Sequence, residues 1–456
     1  MPAGPRFRST FQRLLRPSLF FLVGVAGAFH VQATRLGAVL ELARTSDPQY
    51  LSALAAMASA RERLPQAVAA MLPNISLSVN SHRNQDASTV YPGTLRYSAS
   101  SSALTITQPL FRPAIVANKH QAEVLVSQAE EQLLLAEQEL RLRVARAFFD
   151  VLQAGDEVAA AEAQKDALVQ QLAQTRRSFE VGTVPITDLN EAQSRHDLAV
   201  AQDIAARNEL ASKQKVLEKL IGGRLPPLAK LARDADVDLL PPASQRELVE
   251  AALSQALPVL IARDAVRIAE LELTKRETAR YPTLDLVASE RRDRNLNYSQ
   301  FGGSTVRQAT LGVEFVVPIY QGGAVSSRDR EAAADLERAR QDFANAQRQA
   351  SLEAFQAQLG VESGSALTRA LEQALVSSQT QLRSIQRGLQ VGIRTRIDVL
   401  NAEQQLFATR KDLAAARYRT LTSILALKAA AGALTDLDLF RFDALLEDDA
   451  PAADRR

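Results

Sequence analysis

The sequence predicts a mainly α-helical chain of long antiparallel coiled-coil helices, carrying four short strands of membrane type. Three observations predict it. Small and apolar residues step by three and four over two stretches of nearly seventy residues, the pattern recurs about 210 positions later, and four stretches between the helices alternate with period two. Composition agrees. The 456 residues hold 46% hydrophobic but only 5% aromatic side chains. Ala makes up the difference, as in helices packed at close range rather than around a thick core. Fifty-four basic against 52 acidic residues leave a formal net charge of +2, which argues against a broad basic face for nucleic acid. With no Cys and four His, a disulfide framework, Cys-ligated metal, a thiol nucleophile and a lipidated N-terminal cysteine are excluded, and no cofactor is expected.

The first element is an address. Arg6, Arg8, Arg13 and Arg16 precede an apolar run from Leu19 to Phe29, and Val31-Gln32-Ala33 sets small residues before a cut at Thr34. This is the three-part signal-peptide pattern over residues 1–33. The apolar run is too short to cross a ~30 Å core as a helix. The mature chain is therefore expected to be exported, and to span a membrane only as strands.

The rest is one unit written twice. Val126, Ala129, Leu133, Ala136, Leu140, Val144, Ala147, Val151, Ala154, Val158 and Ala161 form a seam with a stutter at Leu140–Val144. Leu336, Ala339, Phe343, Ala346, Ala350, Ala354, Ala357 and Val361 repeat it with the stutter in the same place. Residues 34–221 make the first repeat, with a long helix over 113–180 and a return helix over 187–221. Residues 248–432 make the second, with a long helix over 324–390 and a return helix over 397–432. The breakers Gly222-Gly223 and Pro226-Pro227, then Pro241-Pro242, mark 222–247 as linker, and 433–456 is a tail. At ~1.5 Å per residue the long helices reach roughly 100 Å, so each must lie against other helices throughout.

The strands are expected at about 74–83, 95–108, 283–293 and 306–317. Ile75, Leu77 and Val79 alternate with Ser76, Ser78 and Asn80; Leu104 and Ile106 with Thr105 and Thr107; Leu284 and Leu286 with Thr283 and Asp285; Leu311, Val313 and Phe315 with Thr310, Gly312 and Glu314. Polar loops over 83–94 and 291–305 separate them, with Tyr91, Tyr97, Tyr298 and Phe301 placed for an aromatic girdle. Asp285 and Glu314 fall on the polar parity and are expected to face a barrel lumen. Four strands leave two open edges, which lipid does not tolerate, so a membrane barrel here must be shared between chains. Three chains give twelve strands, within the known range.

Several segments together resemble the TolC family of outer-membrane efflux and secretion channels. They are Leu72-Pro73-Asn74-Ile75, Gln108-Pro109-Leu110-Phe111, Tyr281-Pro282-Thr283-Leu284, and Val317-Pro318-Ile319-Tyr320-Gln321-Gly322-Gly323. Two turns are the most specific: Phe179-Glu180-Val181-Gly182 through Ile186-Thr187-Asp188, and Val391-Gly392-Ile393-Arg394-Thr395-Arg396-Ile397-Asp398-Val399-Leu400. The resemblance implies a homotrimer whose 12-stranded β-barrel sits in outer-membrane lipid and whose α-barrel tunnel crosses the periplasm. It further implies a periplasmic adaptor, an inner-membrane pump of ABC or RND type, and no covalent chemistry. The second turn resembles the branch that serves type I secretion and general efflux.

The tips are the candidate site. Gly182 and Gly392 follow the long helices where a left-handed cap is needed, and with Thr183 and Ile393 they form the turns expected to meet the adaptor. Asp188 and Asp398 start the return helices, where an acid serves as cap or dipole partner. The resemblance adds a second role: Asp398 as a lumen-facing ring selecting cations, and Arg394 reaching Thr187 and Asp188 to hold the closed state. Asn401 stands where relatives can carry a second acid, and Leu389 where a tyrosine can join the closing contacts. Two rivals remain. One is a secreted structural coiled coil without channel activity. The other is an enzyme, for which a carboxylate pair such as Asp234/Asp236 lacks any arranged partner.

Overall fold

The computed structural model describes residues 33–87, 94–232, 235, 241–296 and 304–447. The signal segment up to residue 32, Tyr91, Tyr298, Phe301, the Asp234/Asp236 pair and the last nine residues lie outside these.

The element order is α1 (Leu36–Ser46), α2 (Pro48–Arg61), α3 (Arg63–Ala69), β1 (Asn74–Ala87), β2 (Thr94–Phe111), α4 (Pro113–Glu180), α5 (Ile186–Ile221), β3 (Lys230–Leu231), α6 (Pro242–Gln255), α7 (Leu257–Glu277), β4 (Thr283–Leu296), β5 (Ser304–Val316), α8 (Ala324–Gln390), α9 (Arg396–Ala430), α10 (Asp436–Asp443) and β6 (Leu446–Glu447). The two long helices have 68 and 67 residues. Pro113 opens α4, where a missing N–H costs nothing.

Each long helix is lined along its whole course. In the half nearer the strands α7 packs between α4 and α8, and α2 and α3 cover α4's other side. In the other half α9 takes the place of α7 between α4 and α8, and α5 lies against α4. The seam is buried in part: Leu140, Val144, Ala147, Val151, Ala154 and Val158 on α4 and Leu336, Ala350, Ala354 and Val361 on α8 are buried, while Val126, Ala129, Leu133, Ala136 and Ala161, with Ala339, Phe343, Ala346 and Ala357, are half-buried. Past Val361 the α8 seam turns small and polar, through Gly364, Ser365 and Thr368, all buried. There α8 and α9 touch backbone to side chain: a Cβ on Gly364 would stand 2.6 Å from Thr420 Oγ1.

The main core sits at mid-rod, at the α4 stutter. Leu140, Val144, Phe148 and Phe149 pack there with Leu36, Leu40, Leu217, Leu425, Leu439 and Phe442. Phe149 lies 5.8 Å from Phe148 and 6.1 Å from both Tyr418 and Phe442, ring to ring. The described parts of the segments expected as linker and tail, 222–247 and 433–456, are built into this belt. Strand β3 pairs with β6, Thr34 bridges to Leu228, and α6 already starts at Pro242. Arg44 and Arg141 both bond Asp436 at 2.6 Å, tying α10 to α1 and α4.

The remaining strands form one antiparallel sheet, in the order β1-β2-β4-β5. All four outrun or shift from their expected bounds. Pairing of β1 with β2 continues from Arg83↔Ser98 to Ala87↔Thr94, and that of β4 with β5 to Asn295↔Ser304. Of the polar stretches expected as loops over 83–94 and 291–305, the described residues 83–87, 94, 291–296 and 304–305 are strand. The alternation signal stops early because both faces turn polar there, while main-chain pairing goes on.

Candidate functional site

Both hairpin tips close with the same main-chain motif. Gly182 has φ 76 and Gly392 φ 80, a conformation that side chains resist. Thr183 N donates to Ser178 O at 2.9 Å and Gly182 N to Phe179 O at 2.9 Å. In the second tip Ile393 N donates to Gly388 O at 3.0 Å and Gly392 N to Leu389 O at 3.1 Å. These are the paired bonds of a Schellman cap, which satisfy the last carbonyls of a helix. Both turns leave Gly182, Thr183, Gly392 and Ile393 exposed at the end of the rod.

Beyond the glycines the tips differ. Helix α9 starts on a full capping box: Asp398 N donates to Thr395 Oγ1 at 3.2 Å, and Thr395 N to Asp398 Oδ2 at 2.9 Å. Helix α5 starts on Pro185, which supplies no side-chain cap. Asp188 sits in its first turn, where its charge faces the helix dipole, and Thr187 Oγ1 donates to it at 3.4 Å. Of the two roles expected of these acids, cap or dipole partner, Asp398 joins the cap and Asp188 takes the dipole position. The bonds from the Thr395 backbone and hydroxyl, with the nearby Arg394 charge, hold the Asp398 carboxyl below its ordinary range.

Arg394 lies back across its own hairpin. Its Cγ stands 2.7 Å from where a Cβ on Gly388 would be, so this glycine makes room for it. Within the chain, among the described residues, no hydrogen bond joins Arg394 to Thr187 or Asp188. Other side chains join the two hairpins. Arg195 Nη2 donates to Asn401 Oδ1 at 3.0 Å, and Arg396 Nη2 to Ser178 Oγ at 3.4 Å. Leu168, Ala199 and Leu400, from α4, α5 and α9, meet in a small apolar cluster beneath them. Further up, Lys165 bonds Asp203 at 2.7 Å and Arg417 bonds Glu372 at 2.7 Å, within each hairpin. Arg195 and Arg396 were not singled out from the sequence. The signal was there for Arg195, which follows Glu191 by four residues and Asp188 by seven, on one helix face.

At the other end, Asp285 and Glu314 stand directly opposite each other in the β4–β5 register, on the face that also carries Ser76, Ser78, Thr105 and Thr107. Asp285 is buried rather than open. Arg112, the residue between β2 and α4, donates Nε to its Oδ1 at 2.8 Å and bonds Oδ2 through Nη2. Glu314 is exposed. The opposite face carries Ile75, Leu77, Val79, Leu311, Val313 and Phe315, all between 59% and 75% exposed. No helix among the described residues is long and apolar enough to cross a membrane, and no group of His, Asp or Glu among them is placed to hold a metal ion.

A sheet with one bare apolar face, on a rod with capped polar tips, matches known proteins closely. The family model described as outer membrane efflux protein matches the chain twice, over residues 39–223 and 248–433. The outer membrane protein TolC of Vibrio cholerae is 30% identical over 419 residues, 91% of this chain and 95% of that protein. The alkaline protease secretion protein AprF of Pseudomonas aeruginosa is 29% identical over 439 residues, 94% of this chain and 88% of that one. In fold, the chain is similar to the CmeC outer membrane channel of Campylobacter jejuni, with a TM-score of 0.76 over 90% of each chain at 14% identity. With most of its length matched by the family model and by such relatives, the chain belongs to the outer membrane efflux protein family.

Proposed function

We propose that three copies of this chain close a 12-stranded barrel in the outer membrane and a tunnel of twelve helical rods below it. The protein is an export channel of that membrane, not an enzyme. The sheet's bare edges and face carry the trimer reading. Strands β1 and β5 each have one unpaired side among the described residues, and the apolar side chains of one face have no cover. Lipid takes the face, and only a neighbour's strand can take the edges. Pairing β5 of one chain with β1 of the next closes the ring by rotation. The two halves then act as near-copies, each giving two strands and one long hairpin.

The partners follow from the family: a periplasmic adaptor on the exposed tip turns at Gly182, Thr183, Gly392 and Ile393, and an inner-membrane pump of ABC or RND type behind it. The alkaline protease secretion protein among the relatives supports protein cargo. The gate is read in the same frame. Asp398 remains free on one oxygen to face the axis, while Arg394 reaches Thr187 and Asp188 of the adjoining subunit rather than of its own. Two experiments test this. Detergent extracts of the outer-membrane fraction should hold the protein at three times its monomer mass; a monomer in the soluble fraction contradicts the reading and favours a secreted coiled coil. Arg394→Ser or Asp188→Ala should raise single-channel conductance; unchanged conductance removes the proposed lock while leaving the channel.

A further inference from the structure

The apolar face of the sheet changes character along its length. Register places Phe315, Val313, Leu311 and Ala309 of β5 beside Leu284, Leu286, Ala288 and Glu290 of β4. The next two steps on the same face are Arg292↔Arg307 and Arg294↔Thr305. Three arginines thus gather on two adjacent strands, with Arg292 and Arg307 directly across the ladder from each other. Side chains so placed stand about 5 Å apart at Cβ, and like charges there repel. All three are exposed. Among the described residues none of them makes a hydrogen bond or ion pair. The face's own acid, Glu290, stands a step lower, opposite Ala309. On the lumen face at the same height the charge is balanced, because Arg291 bonds Asp293 at 2.8 Å. The imbalance is therefore confined to the side that carries the apolar band.

Height places the cluster. Eight residues of strand separate Phe315 from Arg307, roughly 26 Å at ~3.3 Å per residue and about 20 Å along the membrane normal at ~40° tilt. Exposed Tyr281, Ile319 and Tyr320 extend the apolar band on the other side. An arginine is costly at mid-bilayer and tolerated at the interface. The cluster falls at the interface on the side of the strand-connecting loops, away from the helical rod.

We infer that Arg292, Arg294 and Arg307 form a docking belt for the phosphate groups of anionic lipids in the outer leaflet. This rests on the outer-membrane reading above. Guanidinium forks bind phosphate oxygens bidentately, and one phosphate between Arg292 and Arg307 removes their repulsion. A phosphorylated glycolipid suits the site better than a free ion, since its acyl chains lie along Leu311, Val313 and Phe315 directly below.

The test uses the full-length trimer stripped of lipid in detergent. Adding lipid A with two phosphates should raise the melting temperature of the wild type, while dephosphorylated lipid A and inorganic phosphate at the same concentration should not. Arg292→Gln with Arg307→Gln should weaken lipid A binding about tenfold. Arg292→Glu is the sharper variant. It creates an ion pair with Arg307, so the lipid-free trimer should melt no lower than wild type and yet lose the lipid-dependent rise. Equal shifts with and without phosphates, or an Arg292→Glu trimer that still responds fully, overturn the inference. So does dissociation of both variants into monomers, which would place these arginines in a subunit contact. A wild-type chain that never reaches the outer-membrane fraction as a trimer defeats the channel reading instead.

Discussion

Arg195 on α5 donates a 3.0 Å hydrogen bond to Asn401 on α9, joining the two hairpins at their tips. The guanidinium is already steadied by Glu191 one turn away, at 2.7 Å, so little side-chain freedom remains to be lost. The bond spans two hairpins that an opening motion would separate. Asn401→Ala or Arg195→Ala should therefore raise the open fraction of the channel in planar bilayers while costing at most about 1 kcal/mol of global stability. Asn401→Asp should restore closure at low salt and lose the effect at high salt, because the new contact is ionic and exposed. An open fraction unchanged in all three would leave the contact without a gating role.

The capping asymmetry gives a second prediction. Thr395→Ala removes the α9 cap and should cost about 1 kcal/mol, read as a lower melting temperature. Pro185→Thr offers α5 the cap it lacks and should stabilise by a similar or smaller amount. A pH dependence follows from Asp398. Its carboxyl is held down in the folded chain by the Thr395 bonds. The stability this gives is fully present above the ordinary carboxylate pKa and is lost as pH falls through the lowered value. In Thr395→Ala that acid-dependent part should shrink but persist, because the main-chain N–H of residue 395 and the Arg394 charge remain. The check is melting temperature against pH for both chains.

Gly364 tests how closely α8 and α9 must approach. A methyl there would meet Thr420 Oγ1 at 2.6 Å and its Cβ at 3.4 Å. Thr420 is fully buried and its hydroxyl already donates to Ala416 O at 2.9 Å, so it cannot turn away freely. Gly364→Ala should destabilise by about 1–3 kcal/mol through overpacking. Thr420→Ala should rescue much of that loss in the double variant, which a double-mutant cycle would show as strong coupling.

Arg112→Ala should be the most damaging single change at the junction of sheet and rod. The Asp285 side chain is 6% exposed, and Arg112 supplies the bonds that satisfy both its oxygens. Breaking a buried pair typically costs 3–5 kcal/mol; Arg112 is 42% exposed, and water screening reduces the expected cost to about 2–3 kcal/mol. Asp285→Asn in the same background should recover part of it. Melting of the detergent-solubilised protein measures both.

The long helices were legible because a seam repeated over many turns outweighs any local ambiguity. The stutter at Leu140–Val144 marked the position of the main core without revealing what packs there, since α1, α10 and the β3–β6 pair lie far away in sequence. Strand ends were not legible. Period-two alternation reports one apolar face, and Arg292, Arg294 and Arg307 end that face while the ladder runs on. At the tips, Gly182, Gly392 and Asp398 could be read from local capping rules. Arg195–Asn401 and Arg112–Asp285 could not, because each joins residues more than 170 positions apart. The burial of Asp285 shows the limit of parity: a polar residue on the polar face can still meet a partner from the next element.

Single-channel recording of the purified protein in a planar bilayer tests the central claim most directly. The account predicts discrete, cation-selective current steps, with selectivity reduced in Asp398→Asn. Protein that inserts no conducting unit at any concentration, while remaining folded and helical, would contradict it.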